Sequence, residues 1–134
     1  MYNSVTPNLM VEDVNKTIDF YSRVFGFEAV ITVPDEGDLD FAIVSKDGVE
    51  LMFQKRASLQ GEIPEFEGKI IGGTFALYFD VYEIKPLYNK AKANCDLVQD
   101  MHKTFYGTDE FSVKDLNGYI LTFSEREDFD DEDV

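Results

Sequence analysis

The sequence has few of the side chains that form disulfides or hold transition metals. It contains one cysteine, Cys95, one histidine, His102, and no tryptophan. A single cysteine forms no internal disulfide and offers no CxxC pair, which excludes a zinc site built on thiolates. We expect Cys95 to be a small, buried or half-buried side chain. His102 lies in a short predicted strand, where a lone histidine more often faces solvent than acts as a base.

Long apolar runs and basic patches are also missing. No run approaches the roughly 18 apolar residues of a membrane-spanning helix, and the first residues, MYNSVTPNLM, lack the basic start and apolar centre of a signal peptide. Twelve Lys and Arg residues face 27 Asp and Glu residues, so the formal net charge is −15. That charge repels nucleic acid and anionic lipid. We expect a cytoplasmic protein with no nucleic-acid or membrane partner and a neutral or cationic ligand.

The remaining composition is that of one globular domain. The chain has 134 residues, of which 44% are hydrophobic, enough for a single core. The last ten residues, EREDFDDEDV, hold seven acids and one arginine. We assign residues 1–125 to one domain and residues 126–134 to an acidic C-terminal tail, which is either solvated or used to dock a partner.

Helix and strand patterns alternate in the same order in each half. Apolar residues at three- and four-residue spacing in NKTIDFYSRVFGF predict an amphipathic helix that begins after an Asp13 cap and ends at Gly26. SVTPNLMV before it and FEAVITV, DFAIVS and VELMFQ after it predict strands, with Pro7 favouring an edge position or a bulge. In the second half, TFALYFD predicts a strand, and LVQDM, DEFSVKD and GYILTFS predict three more. The helix between them starts near Ile84, which places Pro86 in its first turn.

The two halves overlay as an internal repeat. Asp13 falls on Asp80 with a shift of 67 residues, and DGVELMF falls on NGYILTF with a shift of 70. A duplicated unit of one strand, one helix and three strands is the simplest account. We predict an α+β fold of two tandem βαβββ repeats at about residues 3–55 and 73–125, joined by a crossover at about residues 56–72.

Strand alternation separates an apolar face from a mixed one. A polar face buried without partners would be costly, so we expect the mixed face to border a solvent-filled cleft that holds a small molecule. The alternative is an ordinary solvated sheet face. The candidate ligand-binding residues on the mixed face are Thr6, Asn8, Met10, Glu50, Met52, Gln54, Thr74, Tyr78, Thr122 and Ser124.

Three segments carry a resemblance to a known family. They are the opening NLMVEDVNKTIDFYSRVFGFEAV, the second-half start FALYFDV and the closing YGTDEFSVKDLNGYILTFSE. Together they resemble the vicinal-oxygen-chelate superfamily, which includes glyoxalase I, extradiol dioxygenases, fosfomycin resistance proteins and bleomycin resistance proteins. The family usually has Asp-Pro-Asp-Gly where this chain has DLNG. The resemblance implies the glyoxalase/bleomycin resistance/dioxygenase fold, in which two four-stranded cups hold the ligand, commonly within a homodimer.

The resemblance also marks four positions at which metal-dependent members carry His or Gln, Glu, His and Glu. Matched by their motifs, these positions fall on Thr6, Glu50, Thr74 and Thr122, so that only Glu50 is retained. Threonine hydroxyls are weak ligands for transition metals, which prefer imidazole and carboxylate. We therefore expect no metal and no cofactor, as in the metal-free members similar to bleomycin resistance proteins.

Two glutamates remain as candidates for a role. Glu50 either attracts a ligand or acts as a weak catalytic base, or it is merely paired with a nearby side chain. Asp109 and Glu110 fall where bleomycin resistance proteins carry Arg-Glu, and we expect Glu110 to be structural.

Three functions compete on this basis. The first is sequestration of a cationic or aromatic compound by the acidic, aromatic cup. The second is an enzyme of the superfamily, a lyase such as glyoxalase or a dioxygenase, acting on a small oxygenated substrate. The third is a partner-binding domain that keeps the fold for dimerisation. The lost metal ligands favour the first.

Overall fold

The structure is a computed structural model that describes residues 1–127. The chain divides into two compact units, Met1–Ile71 and a second that starts at Gly72. Each unit contains one four-stranded mixed sheet, which confirms the predicted α+β class. None of the helices among these residues is long and apolar enough to cross a membrane.

The first unit follows the predicted order of one strand, one helix and three strands. Its sheet has the order β1-β4-β3-β2, with β1 at an edge and parallel to β4. The crossover predicted at about residues 56–72 begins with a short helix that the sequence did not predict. The elements are β1 (Asn8–Val11), α1 (Val14–Phe25), β2 (Glu28–Val33), β3 (Phe41–Lys46), β4 (Val49–Lys55) and α2 (Arg56–Glu62).

Helix α1 begins and ends where its local signals predict. The Asp13 side chain accepts a hydrogen bond from the Lys16 amide at 2.9 Å, and Gly26 ends the helix with φ at 81°. Its apolar stripe packs on the sheet, with the Tyr21 and Phe53 rings 4.9 Å apart. One face of the first sheet is therefore a packed core.

The second unit repeats this plan. Its sheet has the order β5-β8-β7-β6, with β5 parallel to β8 and the other pairs antiparallel. The first strand starts at Ala76 rather than at the predicted Thr74. The preceding Gly72 and Gly73 have positive φ values, which keep the backbone out of the extended region. The elements are β5 (Ala76–Asp80), α3 (Ile84–Asn94), β6 (Asp96–Lys103), β7 (Thr108–Lys114) and β8 (Ile120–Arg126).

The structure corrects the overlay of Asp13 on Asp80. Helices α1 and α3 start 70 residues apart, which is also the shift of the closing strands, so Glu83 takes the place of Asp13. The α3 start is fixed by a distant side chain, because the Glu125 carboxylate accepts the amides of Glu83 and Ile84 at 3.1 and 3.0 Å. Asp80 is thus the last residue of β5 and not a helix cap.

The hairpin of β7 and β8 keeps its turn without the family's proline. The Asp115 carboxylate accepts the amides of Asn117 at 2.8 Å and Tyr119 at 2.9 Å, and Gly118 has φ at 93°. Strand β8 runs to Arg126, one residue into the predicted tail. Glu127 is the last described residue. The rest of the predicted tail, residues 128–134, lies outside the described residues.

Candidate functional site

Strand β7 has one face in the core and one face away from it. Phe111 and Val113 are fully buried on the core side, where Phe111 stacks on Phe123 with centroids 5.3 Å apart. Thr108, Glu110 and Ser112 alternate with them and point to the other side. We call that other side of the second sheet the open face.

A row of polar residues crosses the open face at the level of Glu110. Glu110 is in register with Ser124 on β8 and with His102 on β6, and Ser124 is in register with Asp80 on β5. With strands about 4.8 Å apart, the row spans about 14 Å. Two carboxylates, a hydroxyl and an imidazole therefore lie side by side on four neighbouring strands.

A cluster of hydroxyls surrounds the Glu110 carboxylate, which is only 6% exposed. Its Oε2 atom accepts hydrogen bonds from Tyr78 at 2.5 Å, Tyr106 at 2.8 Å and Thr108 at 3.0 Å. Ser124 is in register with Glu110 on β8, and its hydroxyl also acts on the carboxylate to lower the pKa of Glu110. We call these five residues the Glu110 cluster. Three hydroxyls thus donate to the single Oε2 atom, and these hydrogen bonds offset the cost of burying the charge.

The two tyrosines reach Glu110 from different elements. Tyr78 is on β5, and β8 lies between β5 and β7, so the Tyr78 side chain must cross β8 to reach the carboxylate. Tyr106 comes from the turn between β6 and β7. Tyr78 is 57% exposed and Tyr106 is 49% exposed. Their hydroxyls are held by Glu110 while their rings remain open to solvent.

The hydrogen bonds set the charges of the cluster. Burial acts to raise the pKa of the Glu110 carboxyl, but the hydroxyls of Tyr78, Tyr106, Thr108 and Ser124 outweigh it and hold that pKa below the ordinary value of 4.5. The hydrogen bond to Glu110, together with burial and the negative charge, raises the pKa of Tyr106 to about 12. At neutral pH the carboxyl is ionised and the Tyr106 phenol is protonated, so Tyr106 does not act as a base.

The raised pKa of Tyr106 is directly measurable. In an alkaline titration followed by tyrosinate absorbance, we expect one phenol to ionise near pH 12, and the Tyr106→Phe variant to lack that step. Glu110→Gln removes the negative charge and should return the step toward the ordinary value of 10.0. A Tyr106 step that stays near pH 12 in Glu110→Gln would contradict the assignment of its cause.

In the first unit, the predicted residues other than Thr6 lie on the sheet face opposite the core. Asn8 donates to the Gln54 Oε1 atom at 2.9 Å, and Gln54 donates to the Ser58 hydroxyl at 3.0 Å. Asn8 is level with Met52, and Met10 is level with Gln54. Glu50 is exposed and in register with Ser45, and Thr6 lies just before β1. This face holds a short chain of amides and two methionines, and Glu50 lies at its exposed end.

In the second unit, the structure separates the predicted residues. Tyr78 and Ser124 belong to the Glu110 cluster, and Thr122 lies beside it and shares a 2.8 Å hydrogen bond with Ser112. Thr74 lies in an exposed bend before β5, away from the strand register. Tyr106, Thr108 and Asp80 were not among the predicted ligand-binding residues, and Glu110 was expected to be structural. The alternation in TDEFSVK was the available signal, since it places Thr108, Glu110 and Ser112 on one face.

The residues at the four positions implied by the family do not fit a divalent metal. Among residues 1–127 there is no group of three or more His, Cys, Asp or Glu side chains placed to hold one. Three of the four positions are threonines, and Glu50 alone supplies a strong donor. Glu110 and His102 are in register, but three hydroxyls already donate to the Oε2 atom of Glu110.

Comparisons with known proteins agree with this fold. Residues 3–123 match the model of the Glyoxalase/Bleomycin resistance protein/Dioxygenase superfamily. TioX from Micromonospora sp. ML1 matches with a TM-score of 0.75 at 19% identity, over 94% of this chain and 100% of its own. A glyoxalase/bleomycin resistance protein/dioxygenase family enzyme from Burkholderia phytofirmans PsJN has a TM-score of 0.75 at 21% identity, over 91% of this chain and 97% of its own.

A hypothetical protein from S. aureus is similar to the same extent. Its TM-score is 0.74 at 22% identity, over 93% of this chain and 95% of its own. No curated protein matches the chain. Identities this low show a shared fold and carry no substrate or ligand with them.

Proposed function

The chain belongs to the glyoxalase/bleomycin resistance protein/dioxygenase superfamily, and on that premise we propose that it binds a small cationic or aromatic molecule, without a metal, on the open face of its second sheet. The proposal includes a cytoplasmic homodimer as the working form. It rests on the Glu110 cluster and not on the resemblance to any single relative.

The observation that carries the proposal is a buried carboxylate held beneath two half-exposed tyrosine rings. Burying a charge costs free energy unless it is fully hydrogen-bonded, and an apolar side chain would stabilise the sheet at lower cost. A sheet face that only meets solvent has no need of such an arrangement. Clusters of this kind are typical of functional sites, where polar groups are organised in advance for a ligand.

The chemistry of the open face favours a flat or positively charged ligand. The exposed rings of Tyr78 and Tyr106 offer π-faces that stack on aromatic rings and attract cations. The ionised Glu110 adds negative charge beneath them, and the chain as a whole carries −15. The donor set at the family positions favours binding over metal-dependent chemistry, so an enzyme of the superfamily, as the Burkholderia relative is described, is the weaker alternative.

Calorimetry against a panel of cationic glycopeptides and aromatic amines tests the proposal. We expect saturable heat for at least one class of compound, and an affinity about 2- to 30-fold weaker in Tyr78→Ala, because stacking or a cation–π contact on one ring contributes roughly 0.5–2 kcal/mol. Tyr82→Ala is the matched control, since Tyr82 is 93% exposed and outside the cluster. The absence of heat from every compound, or equal losses in the two variants, would refute the proposal.

A further inference from the structure

The hydrogen bonds of the Glu110 cluster all run toward the carboxylate. A carboxylate can only accept, so the single hydroxyl protons of Tyr78, Tyr106 and Thr108 point inward. The Thr108 hydroxyl donates its only proton to Glu110. In the 2.7 Å contact between the hydroxyls of Thr104 and Thr108, Thr104 is therefore the donor. The direction of donation is therefore the same throughout. The phenol oxygens are left with lone pairs, and they have no proton to offer a ligand.

His102 also presents a hydrogen-bond acceptor rather than a donor. Its Nδ1 atom lies 2.8 Å from the Asp100 carbonyl oxygen, which can only accept, so Nδ1 carries the proton. In the neutral ring Nε2 is then an acceptor. His102 is in register with Glu110 and lies at the β6 end of the polar row. The polar groups of this row accept hydrogen bonds and offer few in return.

Asp80 adds a charge at the other end of the row. It follows Tyr78 by two residues on β5, so both side chains are on the open face, and it is exposed. Among residues 1–127, the Asp80 carboxylate has neither an ion pair nor a hydrogen bond. Unlike Glu110, it has all of its acceptor sites available.

Among residues 1–127, Arg126 and Lys114 place positive charge on the open face. Arg126 is in register with Thr108 and lies two residues along β8 from Ser124. Lys114 is four residues along β7 from Glu110, which places it about 13 Å away at about 3.3 Å per residue. Glu110, Asp80 and Arg126 together carry a formal charge of −1 near the tyrosines.

We propose that the open face is specific for an aromatic amine with N–H donors, with the phenol oxygens of Tyr78 and Tyr106 accepting its protons and Asp80 acting as its counter-ion. This inference rests on the proposed binding function and adds the ligand class and a specificity-determining residue. A protonated primary or secondary amine supplies both the donors and the charge that the site lacks. A carboxylate or phosphate ligand finds no donor in the cluster, and a quaternary ammonium finds charge but cannot donate.

Three benzyl compounds test the inference on the full chain. Benzylamine, trimethylbenzylammonium and benzyl alcohol share one ring and differ in charge and donors. We would titrate each into protein labelled with ¹³C in its tyrosine rings and follow Tyr78 and Tyr106, assigned from the Phe variants. We expect benzylamine to bind at least about tenfold more tightly than benzyl alcohol and several-fold more tightly than trimethylbenzylammonium.

Asp80→Asn separates the counter-ion from the rest of the site. It should weaken benzylamine binding about tenfold and leave benzyl alcohol unchanged, whereas Asp47→Asn, at an exposed turn of the first unit, should change neither. Equal affinities for benzylamine and benzyl alcohol, or no effect of Asp80→Asn, would overturn the inference and leave the binding function in place. No shift of Tyr78 or Tyr106 with any of the three compounds would overturn both.

Discussion

Replacing Phe111 by alanine should lower the free energy of unfolding by about 3–5 kcal/mol. Phe111 is fully buried on the core face of β7, 5.3 Å from the Phe123 ring and 5.2 Å from the Tyr88 ring of α3. The substitution removes a whole aromatic ring and leaves a cavity that its neighbours fill only in part. Denaturant unfolding monitored by circular dichroism measures the change.

Phe105 is the matched control for this prediction. Phe105 lies six residues before Phe111 in the sequence, and its side chain is 98% exposed. Its replacement by alanine removes the same ring from the surface instead of from the core. We expect Phe105→Ala to alter the free energy of unfolding by no more than about 0.5 kcal/mol. Equal effects at the two positions would mean that the core face of β7 is wrongly assigned, and the open face with it.

Replacing Glu110 by glutamine should weaken amine binding at least about tenfold, because the site loses the charge that organises it. Glutamine keeps the size of the side chain but offers an NH₂ group to hydroxyls that need an acceptor. We expect the free energy of unfolding at neutral pH to fall by about 1–3 kcal/mol, the usual cost of breaking hydrogen bonds to a buried charged group. Glu28→Gln, at an exposed position of the first unit, is the control and should leave both quantities unchanged.

The pH dependence of that loss has a definite sign. The pKa of Glu110 is lower in the folded chain than its ordinary value of 4.5, so its stabilising contribution is fully present above pH 4.5 and is lost as the pH falls through the lowered pKa. The stability difference between the wild type and Glu110→Gln should therefore be largest near pH 6–7 and shrink in acid. A difference that does not change with pH would show that the Glu110 charge is not what the cluster stabilises.

Local signals in the sequence predicted much of the fold. The Asp13 cap and Gly26 fix both ends of α1, and Pro86 places the start of α3, because each acts within one helical turn. Helix α2 was missed because RASLQGE has no side-chain cap and contains a glycine. The match of Asp13 to Asp80 misled the overlay, because Glu125, more than 40 residues away in sequence, caps α3 instead.

The site was harder to predict because it also depends on contacts between residues that are far apart in the sequence. Tyr78 and Glu110 are 32 residues apart and meet only because β8 lies between their strands in the sheet. Strand alternation predicts which face a residue occupies, but it does not predict which hydroxyls converge on one carboxylate. Tyr78 and Ser124 were selected from alternation alone, whereas Tyr106 lies in a turn where alternation gives no signal.

Native mass spectrometry of the gently purified protein, before and after addition of nickel, zinc, manganese and ferrous ions, tests the central claim most directly. It reports the oligomer, any metal and any bound organic molecule in one measurement. The account predicts a dimer that takes up no metal at useful strength and carries an organic adduct, and that adduct should be depleted in Glu110→Gln. One tightly bound metal ion per chain, with no organic adduct, would contradict the account and favour an enzyme of the superfamily.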